Sequence, residues 1–282
     1  MEDRPEGKFF VTARGWEDLS EILKGYEALG VPVTEALVGQ YLQKAEVARE
    51  FSACYALYRK YETDYGIPEI LAGGDWADKA ELVKNGGFEE RFIVVTLLAD
   101  ALGPWFSRYS TDRGRILALH EKLLQLKRSW GEGPEALAGQ MEKSLAVRRE
   151  AGLVEEDRAE IEQWVADRLR AYGLELKKDH IYREEPGFEK LRQLFAPEAE
   201  AFGTLTAQAG QALSRGFRFA ETCFGEGQEM VLLVTDLTRN PQAMEFIQEN
   251  GSEDFLRHSD VLLYRQQEQT LMEQCRELLA MQ

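Results

Sequence analysis

The stretch Thr12-Ala13-Arg14-Gly15-Trp16-Glu17-Asp18-Leu19 combines residue types that point to a ligand. Thr12 has a hydroxyl that can cap a helix, which puts Arg14 in the first helical turn. A cation is mildly disfavoured there, because the helix macrodipole already presents partial positive charge at that end. The position becomes favourable when an anion docks: free N–H groups and a guanidinium fork together make a phosphate site. The bland alternative is a solvated arginine on a capped helix, since the dipole effect at an exposed site is under about 1 kcal/mol.

Other chemistry-bearing residues do not group. His120, His180 and His258 are scattered and match neither H-E-x-x-H nor the Glu-x-x-His of a di-iron helix, so each reads as a surface or interhelical residue. Cys54, Cys223 and Cys275 are far apart in helix-like context, which favours small buried hydrophobes over a disulfide or metal set. The acidic pairs Glu89-Glu90 and Glu184-Glu185 are adjacent in sequence, so a helix would point their side chains apart. Between Arg108 and Arg128 lie Arg108, Arg113, Arg115, Lys122, Lys127 and Arg128 against Asp112 and Glu121, a local surplus of positive charge. Such a run is a solvated helix face or a partner-facing patch.

The elements that would hold these residues are helical almost throughout. Phe9 to Val11 reads as a short extended run, after which Trp16, Leu19, Leu23 and Tyr26 carry the 3–4 spacing of a buried helix face. Gly30 and Pro32 end that helix, and Thr34 caps the next, with Leu37, Val38, Tyr41 and Leu42 on one face. A third helix is expected over about 45–65. Its Val47, Phe51, Tyr55, Tyr58, Tyr61 and Tyr65 form a half-buried stripe with hydroxyls at the rim. Gly73-Gly74 and Gly86-Gly87 relax the backbone and mark a boundary.

Beyond that boundary the pattern predicts long helices. A break or kink is expected at Gly103-Pro104, followed by Ile116, Leu119, Leu123, Leu126 and Trp130 on a heptad too short for a coiled coil. The 131–134 segment reads as a loop. Helices are predicted over about 135–150 and 155–172, the latter ended by Gly173. Pro186-Gly187 should set off a short helix at 188–195, and Pro197 should open another running to Phe224. Its glycines at 203, 210 and 216 suggest close helix packing. Met230 to Thr235 is strand-like but has no partner, so a buried helix is the better reading. Pro241 opens a helix ended by Gly251, Ser252 starts another, and a polar helix is expected over 260–279. The fold class is therefore all-α, a multi-helix bundle. Residues 1–74 form one helical sub-domain and 75–282 a larger extension, divided near 131–134.

The segment Thr12 to Leu19 resembles the sensor-2 segment that opens the lid of MoxR-type AAA+ ATPases, where a Ser/Thr-Pro-Arg precedes an amphipathic helix. Ala13 stands where those proteins usually carry proline, a preference at the first helical position. The segments 37–43, 45–51 and 58–65 also resemble that lid, so the likeness covers about the first quarter of the chain. The remainder is only loosely similar to the helical extension of the same branch. The resemblance implies a ring-forming, chaperone-like ATPase that works with von Willebrand factor A-type partners, and it implies that Arg14 meets the γ-phosphate end of ATP.

The chain itself carries no G-x-x-x-x-G-K-[ST] and no apolar run ending in an acidic pair for magnesium. A P-loop ATPase cannot be built from these residues alone. ATP and magnesium are thus expected only with a separate AAA+ core, contributed by another polypeptide or by sequence outside these 282 residues. Neighbouring ATPase subunits are the expected partners. The other reading is a non-enzymatic helical scaffold or adaptor with a merely structural Arg14.

Composition narrows the partners. A net charge of -16 argues against a nucleic-acid partner, since backbone binding needs surplus Lys and Arg. No apolar run approaches the roughly 20 residues of a membrane helix. The start Met1-Glu2-Asp3-Arg4 lacks the features of a signal peptide, so a cytoplasmic location is expected.

Overall fold

The computed structural model describes residues 2–4, 7–9, 11–131, 133–181 and 183–259. The expected 260–279 helix and Cys275 lie outside them. Among the described residues the class is all-α. The exceptions are two three-residue strands, β1 (Glu2–Arg4) and β2 (Gly7–Phe9), paired antiparallel with Glu2 opposite Phe9.

The chain divides into two compact units that interleave in sequence: 1–67 with 77–97, and 68–76 with 98–282. The first contains α1 (Ala13–Ala28), α2 (Glu35–Tyr41) and α3 (Ala45–Tyr65), together with the helical residues of 77–97. Local chemistry explains their ends. Thr12 and Thr34 accept hydrogen bonds from the Gly15 and Leu37 amides, and Gly30 and Gly66 take left-handed conformations after α1 and α3. Leu19, Val38, Leu42 and Ala48 are buried together, with Leu23, Tyr41, Val47 and Phe51 packed around them. Trp16, expected on that buried face, is largely exposed at its edge. The tyrosine stripe of α3 is half-buried, apart from the fully buried Tyr65.

The short helices α4 (Ile67–Ala72) and α5 (Ala77–Asn85) precede α6 (Phe88–Arg128). No break occurs at Gly103-Pro104; α6 runs through Pro104. A proline removes one intrahelical donor, and burial of Leu102 and Phe106 on either side holds the turn together. The loop at 131–133 uses two left-handed glycines, Gly131 and Gly133, and Pro134 then begins α7 (Pro134–Glu150).

Helix α8 (Glu156–Lys178) continues past Gly173, and α9 (Glu184–Phe224) is one helix through Pro197. Glycine was read here as a stop signal, whereas the structure uses it for close approach. A Cβ on Gly173 would lie 3.0 Å from the Cβ of Glu135, and one on Gly187 would lie 2.4 Å from the Trp130 ring. Close packing holds at Gly216, whose Cβ would meet Leu71 and Leu102 at 3.4 Å, but Gly203 faces open space. Helices α10 (Gln228–Arg239) and α11 (Pro241–Asn250) follow, so the strand-like 230–235 run is helical as expected. Asn240 caps α11 through the amides of Gln242 and Ala243, and residues 253–259 are again helical.

Two packed regions hold the second unit. In one, Leu119, Leu123 and Leu126 of α6 meet Leu137 and Ala138 of α7, Val165 and Leu169 of α8, and Leu191 of α9. The short heptad is therefore a core face. In the other, Phe106 packs on Phe246 at 5.5 Å between centroids, and the Phe246 ring meets Tyr109 edge-on at 4.9 Å. Beside it Arg113 forms a bidentate pair with Glu249, which also accepts from the Tyr109 hydroxyl at 2.9 Å. The Arg113 hydrogen bonds hold the Glu249 carboxyl below its ordinary value near 4.5.

That depression has a sign. Glu249 stabilises the fold above about pH 4.5, and the contribution is lost as pH falls through the lower folded-state value. Glu249→Gln is therefore expected to be less stable than the wild type at neutral pH and to lose less further stability on acidification. Urea denaturation at pH 7 and at pH 3.5 to 4 (about the range where carboxylates titrate) checks this. Equal acid-induced losses in both proteins would remove the assignment.

Candidate functional site

Arg14 sits in the first turn of α1, and three features hold that turn in place. The Thr12 hydroxyl accepts from the Gly15 amide at 3.0 Å, the Trp16 amide bonds back to the Thr12 carbonyl, and Gly15 lies against the end of α2. A Cβ on Gly15 would stand 2.8 Å from the Tyr41 carbonyl oxygen, so only glycine allows this approach. The guanidinium itself projects outward with the side chain 87% exposed. Its Nε lies 3.8 Å from Asp18, one turn on and also exposed, a pairing too loose and too solvated to hold the side chain. Arg14 is thus a cation on a fixed base, without a buried carboxylate partner.

The neighbouring surface is aromatic. Trp16 meets Phe51 edge-on at 5.3 Å, Phe51 stacks on Tyr55 at 6.1 Å, and the Tyr55 hydroxyl donates to Glu27 at 2.7 Å. Burial, reinforced by that bond to Glu27, pushes the Tyr55 hydroxyl up to about 12. A cleft of about 310 Å³ runs here, lined by Trp16, Leu19, Ser20, Leu23, Lys24, Glu27 and Phe51. Arg14 is not among its lining residues.

The remaining candidates stay apart. His120 is exposed beside Phe195, and His180 is exposed in a left-handed turn after α8. Cys223 is buried as expected, but Cys54 is exposed on α3. Glu90 accepts the Tyr65 hydroxyl, while its neighbour Glu89 is exposed, so that pair diverges. Glu184 and Glu185 occupy the first turn of α9, where carboxylates favour the helix dipole.

The basic run of α6 does not form one patch. Arg113 is taken by Glu245 and Glu249, Lys127 lies over the Phe188 ring, and Arg128 donates to the Leu124 carbonyl. Lys122 lines one cleft of the second unit, and Arg108 and Arg115 line another. Helical geometry spreads residues 108–128 around the axis, which spacing in a sequence conceals.

One cluster was not legible. His258 is buried between Glu221 and Glu226: its Nδ1 lies 3.2 Å from Glu226 and its Nε2 lies 3.5 Å from Glu221, while the ring stacks on Phe217 at 5.5 Å. Donor atoms of the three residues lie within 4.8 Å of one another. The carboxylates, however, approach different edges of the imidazole, and Glu221 also pairs with Arg257 at 3.1 Å. The Nδ1 meets Glu226, whereas the buried Nε2 makes no hydrogen bond among the described residues. The arrangement does not converge three donors beside one nitrogen.

No known protein family, curated protein or solved structure matches the chain. Among the described residues no helix is long and apolar enough to cross a membrane.

Proposed function

We propose that this chain acts through a partner: it is a helical lid-and-extension component whose Arg14 contacts a phosphate held on a separate AAA+ core. The carrying observation is the Arg14 guanidinium, exposed on a helix start braced by the Thr12 cap and the Gly15–Tyr41 approach. An arginine of this kind couples lid position to nucleotide state, because its charge is fully paired only when the terminal phosphate is present. The resemblance to MoxR-type lids gives the source of that phosphate as ATP with magnesium, in the cytoplasm, and a von Willebrand factor A-type protein as a further partner. These residues fit one phosphate contact; they do not form a nucleotide site.

A non-enzymatic scaffold or adaptor is the second reading. The pairing of Arg14 with Asp18 favours it, since an exposed i,i+4 pair needs no ligand to account for the arginine. A genomic observation separates the two: Walker A and Walker B motifs in frame upstream of Met1, or in an adjacent gene, belong to the first.

Arg14→Ala provides the biochemical test. In the purified chain the change is expected to leave stability within about 0.5 kcal/mol, as for other exposed positions. The chain alone should show no magnesium-dependent ATP turnover. With its AAA+ core present, the same change should impair hydrolysis or nucleotide-dependent assembly, because a charge-assisted phosphate contact is removed. A destabilised chain with unaltered ATPase activity would assign Arg14 to structure instead.

A further inference from the structure

The second unit contains a cleft of about 250 Å³ formed by α6, α8 and α9. Its chemistry differs from that of a protein with net charge -16. Arg108, Arg115 and Arg168 line it against two carboxylates, Asp112 and Glu198. Both carboxylates are already engaged. Asp112 lies 3.2 Å from Arg115 and 3.8 Å from Arg108, and Glu198 lies 3.1 Å from Arg168 and accepts the Tyr172 hydroxyl at 2.7 Å. One positive charge is left over.

The same cleft has an aromatic wall and an apolar floor. The guanidinium carbons of Arg115 and Arg168 lie 5.7 Å and 5.2 Å from the Trp164 ring, so two cations share one indole. Ile116, Phe202 and Leu205 complete the lining.

We infer that this cleft binds a small aromatic acid. The carboxylate answers the surplus guanidinium charge, and the ring lies against Trp164 and the apolar floor. Size supports a single ring: an apolar cavity of about 150 Å³ holds benzene, and drug-sized ligands need about 300 Å³ or more. The assignment is independent of Arg14, which lies in the other unit.

Isothermal titration of the full chain with 4-hydroxybenzoate, benzoate and phenol tests it. Both acids are expected to bind, with phenol weaker than either by about tenfold or more, the worth of a charge-assisted contact. Arg108→Gln removes a side chain that is 71% exposed, and Arg168→Gln removes one that flanks the indole. Each is expected to weaken 4-hydroxybenzoate by about tenfold with the helical circular dichroism unchanged. Arg158→Gln, on the same helix but outside this cleft, should bind as the wild type does. No saturable binding of either acid at millimolar concentration would overturn the inference. So would phenol binding as well as benzoate, or Arg108→Gln and Arg168→Gln both binding unaltered.

Discussion

Phe106→Ala is expected to destabilise the second unit by about 3–5 kcal/mol, the range for deleting a fully buried aromatic side chain. Phe106 has no exposed surface, and its ring packs on Phe246 of α11, which in turn meets Tyr109. Truncation removes one ring from a chain of three and leaves a cavity that two rigid helices cannot close. The cost therefore has two parts, lost transfer free energy and lost dispersion contacts across the void. Pro104 makes the position still more sensitive. Its turn of α6 already lacks one backbone donor, so side-chain burial has to hold it straight. Denaturant melts followed by circular dichroism give the number. A loss below about 1 kcal/mol, the ordinary effect of a point change, would mean that α6 and α11 are not packed as described.

Leu19→Ala should cost about 2–5 kcal/mol and should act on the first unit. Leu19 is 1% exposed and is buried together with Val38, Leu42 and Ala48. Each fully buried aliphatic side chain contributes about 1.5–3 kcal/mol. Leu19 also lies just over one turn beyond Arg14 on the same helix. Its loss should release the helix start from the Tyr41 carbonyl and blur the direction of the guanidinium. Hydrogen exchange read by mass spectrometry separates the units: protection should fall across α1–α3 and persist in α8. Uniform loss of protection in both would show that the first unit has no core of its own. Leu19→Ala and Arg14→Ala thus differ in kind, since only the first should alter stability while both should disturb the proposed phosphate contact.

The sequence by itself determined helix type, most helix starts and much of the core. Thr12, Thr34 and Pro241 act on their immediate neighbours, so their caps and starts are readable one residue at a time. Spacing at three and four reports which face is buried whatever lies opposite, and Leu19, Val38, Leu119 and Leu123 accordingly lie in the core. The helical state of 230–235 was also legible, because an isolated strand has nothing to pair with.

Tertiary structure decided the rest. Gly173 and Gly187 carry the local signature of a helix stop, yet each lies inside a helix where Glu135 or Trp130 comes too close for a Cβ. A residue's reason for lacking a side chain can lie on a distant segment, beyond the reach of local propensity. Pro104 and Pro197 likewise lie inside continuous helices, although each removes one backbone donor. Sites follow the same division. Arg14 was visible because its cap, its helix and its exposure belong to one short stretch. The Arg108–Trp164–Glu198 cleft was not, since its residues come from three helices and meet only when those helices pack. His258 with Glu221 and Glu226 is the same case: convergence of side chains is a property of the packing.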